Sequence, residues 1–119
     1  MTILEPARLT IYLCDSARFH HKPLSDMIVH RAQEAGLAGA TVFRGIEGFG
    51  RGGDIHTTRI LDVSDHLPVA VVLIDNEDRL REFVDHNGDC LSGRLVTLER
   101  LEIQELPQPT GLHGVTSTG

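Results

Sequence analysis

Gly36-Leu37-Ala38-Gly39-Ala40-Thr41-Val42-Phe43-Arg44-Gly45-Ile46-Glu47-Gly48-Phe49-Gly50-Arg51-Gly52-Gly53 carries seven of the chain's twelve glycines in eighteen residues. Glycine is placed where the backbone needs positive φ or where another group approaches it closely. The first half reads as a helix end turning into a strand, with Gly36 and Gly39 shaping the turn. The second half reads as that strand opening into a glycine-rich loop. Gly45 keeps the strand slim, and Gly48, Gly50, Gly52 and Gly53 form a backbone suited to meeting a ligand or a neighbouring subunit.

Working back from this stretch, Pro23 suits the first turn of a helix, where a missing N–H costs nothing. The helix is expected to run to about Ala35, with Leu24, Ile28, Ala32, Ala35 and Met27 on its apolar side and Gly36 as its terminator. Before it, Ala7 to Cys14 alternates: Leu9, Ile11 and Leu13 face one way, and Arg8, Thr10 and Tyr12 the other. Asp15 to Lys22, with His20-His21, is a polar connection. Forward of the glycine stretch, Ala40 to about Ile46 is the second strand. Phe49 to His66 is a long polar excursion containing a strand-like piece, Thr57 to Val63. Pro68 to Ile74 is apolar on both faces and therefore a central strand. Asp75 or Asn76 caps a second helix carrying Leu80, Phe83, Val84 and Asn87 on one face, with Gly88 as its end. Ser92-Gly93 turns into a last strand, Arg94 to about Ile103. Leu101 and Ile103 fall out of phase with Val96 and Leu98, which predicts either a bulge or a strand continuing into a partner's sheet.

The order β-α-β-loop-β-α-β predicts an α+β fold, a ferredoxin-like βαββαβ sandwich with an antiparallel sheet and two helices on one face. The other face is left uncovered, although Phe43 and the strand at 69–74 present apolar groups to it, so a homo-oligomer is expected. One domain spans residues 1–106, with a flexible loop at about 51–66; residues 107–119, rich in Pro, Thr, Ser and Gly, form a disordered tail.

The 119 residues carry 17 acidic and 11 basic side chains, a net charge of −6, which opposes general attraction to nucleic acid or an anionic membrane. The longest apolar run, from Leu67 to Ile74, is too short to cross a bilayer. The N-terminus lacks a signal-type stretch, so a cytoplasmic location without membrane insertion is the expectation. Cys14 and Cys90 are the only cysteines and form no CxxC pair; both are expected to be buried free thiols. The seven histidines show no HxxxH or HExxH spacing, and no metal site is assigned.

Gly48-Phe49-Gly50-Arg51 and Asp65-His66-Leu67-Pro68-Val69 resemble the PII signal-transduction proteins. The chain is more closely similar to a PII-like family of unknown function, domain of unknown function 190, on Gly36-Leu37-Ala38-Gly39-Ala40-Thr41-Val42, Arg44-Gly45 and Gly48-Phe49-Gly50. The resemblance covers about residues 7–105. It implies a homotrimer of ferredoxin-like subunits that is a regulatory protein rather than an enzyme. Its effector, an adenine nucleotide or other small anion, binds in clefts between subunits, and a flexible T-loop controls a transporter or enzyme target. The ligand-binding residues it implies are Thr41, Gly48, Phe49, Gly50 and Arg51, with Gly93 and Arg94 standing where PII has a longer glycine-rich loop. Arg44, on an otherwise apolar strand, binds either an anion or an acidic group of a neighbouring subunit.

Three departures from PII lower the charge of the site. Gly52 replaces a glutamine, Val69 a lysine, and Glu102-Ile103-Gln104-Glu105 a basic Arg-x-Arg. A ligand with less charge than a triphosphate follows, such as a nucleoside monophosphate. The alternatives are a CutA-like trimeric metal-binding protein and a ferredoxin-like nuclease using Asp15, which is otherwise a turn residue.

Overall fold

The computed structural model describes residues 2–50, the backbone of 56–57, and residues 67–109. In chain order the elements are β1 (Pro6–Cys14), β2 (Arg18–Phe19), β3 (Lys22–Pro23), α1 (Leu24–Glu34), β4 (Gly39–Arg44), β5 (Glu47–Gly48) and β6 (His56–Thr57). They continue as β7 (Pro68–Asn76), α2 (Glu77–His86), a single turn α3 (Gly88–Leu91) and β8 (Leu95–Arg100). The four long strands form one antiparallel sheet in the order β4-β7-β1-β8. This is the α+β, ferredoxin-like arrangement expected from the sequence.

Strand alternation decides what each face of the sheet carries. One face stacks Leu9, Ile11 and Leu13 of β1 beside Leu73, Val71 and Val69 of β7. With Leu24, Ile28 and Ala32 of α1 and Leu80 and Phe83 of α2, these residues form the core. Burying each larger aliphatic side chain contributes about 1.5–3 kcal/mol.

Among the described residues no element covers the opposite face. Its residues fall into cross-strand rows, and the row Phe43–Ala70–Tyr12–Leu95 spans all four strands. Phe43, Tyr12 and Leu95 are about half exposed (57%, 46% and 53%). Among the described residues this face is uncovered; it is apolar in the row at Phe43 and polar in the rows that carry Thr10 and the Arg8–Glu99 pair.

Several local features differ from expectation. Ala35 is exposed, because α1 stops at Glu34 and the chain turns away. Gly36, at φ +73°, donates to the Gln33 carbonyl at 3.0 Å, and Leu37 donates to that of Ala32 at 3.1 Å. This is a Schellman turn, in which glycine takes the left-handed position. Gly39 has no such role: φ there is not positive, and an added Cβ would meet nothing within 4 Å. The connection after β1 is structured too. β2 and β3 pair as a two-residue hairpin whose tip residues, His20 and His21, sit at φ +51° and +69°.

Asp75 is not a helix cap but the last inward-facing residue of β7, completely buried. Its carboxylate accepts the N–H of Ala38 (2.9 Å) and of Asn76 (2.6 Å) and pairs with Arg79 (3.5 Å). Asn76 holds the N-cap position of α2, yet its side chain accepts the Glu5 N–H at 2.8 Å instead of capping the helix. α2 ends at His86 with Asn87 as its C-cap, and Gly88 begins α3. The last strand ends at Arg100, where Leu101 donates to the Pro6 carbonyl at 2.9 Å; the phase change reflects this end and no bulge.

Residues 101–109 form no regular element. Of the expected piece Thr57–Val63, only Thr57 is described, paired with Glu47 in the β5–β6 ladder; residues 58–66 and the tail from 110 lie outside the described residues. Cys90 is buried and Cys14 only partly so. No helix among the described residues is long and apolar enough to cross a membrane.

Candidate functional site

The ends of β1 and β4 and the starts of β7 and β8 converge at one corner of the uncovered face. A cavity of about 590 Å³ opens there, within the size range of small-molecule sites. Its floor is the row Phe43–Ala70–Tyr12–Leu95, which is apolar apart from the phenol. Gly48, Phe49 and Gly50 form one wall, and Gly93 and Arg94 another. Gly93 reaches this position through φ +80° at the turn between α3 and β8.

Six of the eight residues singled out from the sequence therefore line one cavity: Arg44, Gly48, Phe49, Gly50, Gly93 and Arg94. Thr41 lies on the same face, opposite Val72 and two residues before Phe43, but does not line it. Arg51 lies outside the described residues.

Two glycines of the wall have a reason within the chain. The Gly45 N–H donates to the Pro68 carbonyl at 2.7 Å, and a Cβ on Gly45 would stand 2.7 Å from Pro68 Cγ. A Cβ on Gly48 would stand 3.0 Å from the same atom. Gly45 is thus slim to pass its own chain's proline, not a neighbour. Gly50 faces no such neighbour within 4 Å, and neither does Gly93, although its φ favours glycine.

The two arginines differ in what they leave available. Arg44 pairs with Asp15 at 3.1 Å within the same chain, with 64% of its side chain still exposed. The turn after β1 thus supplies Arg44 with one acidic partner inside the chain, beside the anion or neighbouring acidic group expected from the sequence. Asp15 is fixed by its own N–H, which donates to the Leu67 carbonyl at 2.8 Å. Arg94 makes no side-chain hydrogen bond or ion pair among the described residues. The cavity therefore joins an aromatic and aliphatic floor to Arg94, whose guanidinium has no partner among the described residues, while Arg44 lines it from a strand position that the register places on the helix side. Such a site suits a flat ligand with modest negative charge.

Tyr12, Ala70 and Leu95 are not among the residues singled out from the sequence, and Asp15 is there only as a nuclease residue or a turn residue. Tyr12 was within reach, since strand alternation puts it on the face shared with Phe43; the register joining the two through Ala70 was not. Among the described residues, no three His, Cys, Asp or Glu side chains are placed to hold a metal ion.

The fold is the ferredoxin-like α+β fold shared by PII-like and CutA1 proteins. The fold is similar to that of CPII, a nitrogen regulatory PII-like protein from Thiomonas intermedia K12 bound to ADP, AMP and bicarbonate. The TM-score is 0.62 at 12% identity, covering 86% of this chain and 91% of that one. It is also similar to CutA1 from Oryza sativa, with a TM-score of 0.60 at 11% identity and coverage of 87% and 85%. The chain belongs to the DUF190 family, described as an uncharacterized ACR, which matches residues 6–103. It is 34% identical over 108 residues to a UPF0166 protein of Aquifex aeolicus (strain VF5), covering 87% of this chain and 97% of that protein.

Proposed function

We propose that this chain is a PII-like regulatory protein that binds a small anionic effector, an adenine nucleotide of low charge, in the corner cavity. The observation that carries the reading is the pairing of the Phe43–Ala70–Tyr12–Leu95 floor with the uncommitted Arg94 across a glycine wall. A purine stacks on the aromatic floor, Arg94 meets the phosphate, and the N–H groups near Gly48–Gly50 complete the anion's partners. Arg44 is paired with Asp15, which leaves Arg94 as the main cation of the site and favours a monophosphate carrying about −1.5 to −2 over a triphosphate.

The uncovered face supports self-association, and we take the assembly to be a homotrimer in which a second copy closes the open side of the cavity. Binding at Gly48–Gly50 is passed to the segment that follows directly in the chain, Arg51 to His66. That segment changes the surface it offers to a transporter or enzyme target. The role is one of binding, without catalysis.

Calorimetry with AMP, ADP, ATP and cyclic dinucleotides tests this reading. AMP or ADP is expected to bind at least tenfold more tightly than ATP; absence of binding to all of them overturns it. Light scattering should give three times the 13.1 kDa chain mass, and a monomer at micromolar concentration would overturn the trimer. A CutA-like metal-binding role is supported by fold likeness to CutA1 alone, with no donor cluster among the described residues to add to it. Stoichiometric copper or zinc in protein purified without a tag would favour that role.

A further inference from the structure

The β2–β3 hairpin is cationic on a chain whose net charge is −6. Arg18, His20, His21 and Lys22 occupy five consecutive positions with Phe19, and all four are exposed. Arg18 lies opposite Pro23 and Phe19 opposite Lys22, so the two permanent charges project on opposite faces of the ribbon. None of the four side chains makes an ion pair or hydrogen bond among the described residues. The two nearest acids in sequence are otherwise placed: Asp15 is committed to Arg44, and Asp26 lies in the first turn of α1.

The hairpin is also preformed. Phe19 packs against the core cluster; the guanidinium of Arg31 lies 5.8 Å from its ring centre, and the His20 ring meets it edge-on at 4.2 Å. Arg31 is itself tied to Asn87 (2.8 Å) and Asp89 (3.2 Å), which fixes the hairpin's base to the α2–α3 junction. At the tip, two consecutive non-glycine residues hold positive φ. Histidine tolerates that region, but two-residue turns of this kind are met at lowest cost by Asn-Gly. Ring N–H donors thus stand where the backbone alone would favour other residues.

We propose that the tip Arg18–Lys22 is a docking site for an acidic segment of a protein partner. Two fixed charges, one on each side of the ribbon, with one imidazole N–H from each tip histidine between them, suit a short run of carboxylates laid across the tip, and a preformed site loses little entropy on binding. An anionic membrane is the less favoured occupant, because such recognition uses clusters of about four to eight Lys or Arg and the rest of this chain is acidic. The site stands apart from the corner cavity and does not depend on the reading given for it.

The test is fluorescence anisotropy of a labelled deca-glutamate peptide with the full chain, at low and at physiological salt. Binding is expected at low salt and should weaken as salt rises. R18E/K22E is expected to lower affinity at least tenfold. The variant H20N/H21G, which carries the preferred turn residues, should keep or raise the urea midpoint while weakening the peptide at least threefold. No binding of the peptide to the wild-type chain overturns the proposal, as does unchanged affinity in R18E/K22E or in H20N/H21G. Tighter binding to phosphatidylserine vesicles than to the peptide also overturns it and assigns the tip to a membrane surface.

Discussion

Asp75→Ala removes the one carboxylate that is completely buried among the described residues. Its oxygens accept the N–H of Ala38, just after the Schellman turn, and of Asn76, where β7 passes into α2, and they pair with Arg79. Arg79 separately donates to the Ala35 carbonyl at 2.6 Å, so losing Asp75 frees one contact of a guanidinium that keeps another. The cost is therefore set by the two N–H groups. At about 1–3 kcal/mol for each donor left without a partner, the expected loss is about 3–4 kcal/mol. That is comparable with breaking a buried pair from one side and is a large share of a small domain's stability.

Asp75→Asn keeps the shape and one acceptor oxygen, so it should lose about half as much. Urea unfolding followed by circular dichroism at fixed protein concentration measures both variants, with the concentration held because any assembly would couple to stability. A loss below about 1 kcal/mol for Asp75→Ala, or equal losses for the two variants, would refute the reasoning. The first result would mean that water replaces the carboxylate, and the second that shape matters and hydrogen bonding does not.

Gly45→Ala places a Cβ 2.7 Å from a proline ring that cannot swing aside, and should cost about 1–3 kcal/mol in urea unfolding. Gly39→Ala meets open space and should be neutral or stabilising by up to about 1 kcal/mol. Glu77 is held below the ordinary carboxylate range by its hydrogen bond to Arg100 and then by Arg81. A depressed carboxylate stabilises the fold above its unfolded pKa and loses that contribution as pH falls through the folded value. Glu77→Gln should therefore lower thermal stability at neutral and alkaline pH and leave it little changed at acid pH, so that the acid-side fall becomes shallower. Burial pushes the Cys90 thiol up, and its side chain is enclosed, so a thiol reagent at mildly alkaline pH should modify Cys14 first and Cys90 only on unfolding.

What could be read in the sequence were the periodic elements. The alternation of Leu9, Ile11 and Leu13, the i, i+4 spacing of Leu24, Ile28 and Ala32, and the doubly apolar β7 each report burial through local spacing alone. So does Gly36, whose left-handed position follows from where the helical pattern stops. The misreadings share a cause: the partner lies far along the chain. Asp75 looks like a cap until Ala38 is found against it. Gly45 looks like a gap for a ligand until Pro68 fills it. Arg44 invites a neighbouring subunit until Asp15, 29 positions away, is found beside it. The His20-His21 turn escaped because its residues lack the Asn-Gly signal of tight hairpins. The glycine wall of the cavity was legible as a run, whereas its floor required the register of four strands.

The claim that a low-charge nucleotide occupies the corner cavity is tested most directly by amide chemical-shift mapping during a titration with AMP. The account predicts changes concentrated at Gly48, Phe49, Gly50, Gly93, Arg94 and Tyr12, and their loss in Arg94→Ala while the rest of the spectrum keeps its dispersion. Changes centred on the helix side, around Arg31 and Arg79, or none at saturating AMP, would contradict it.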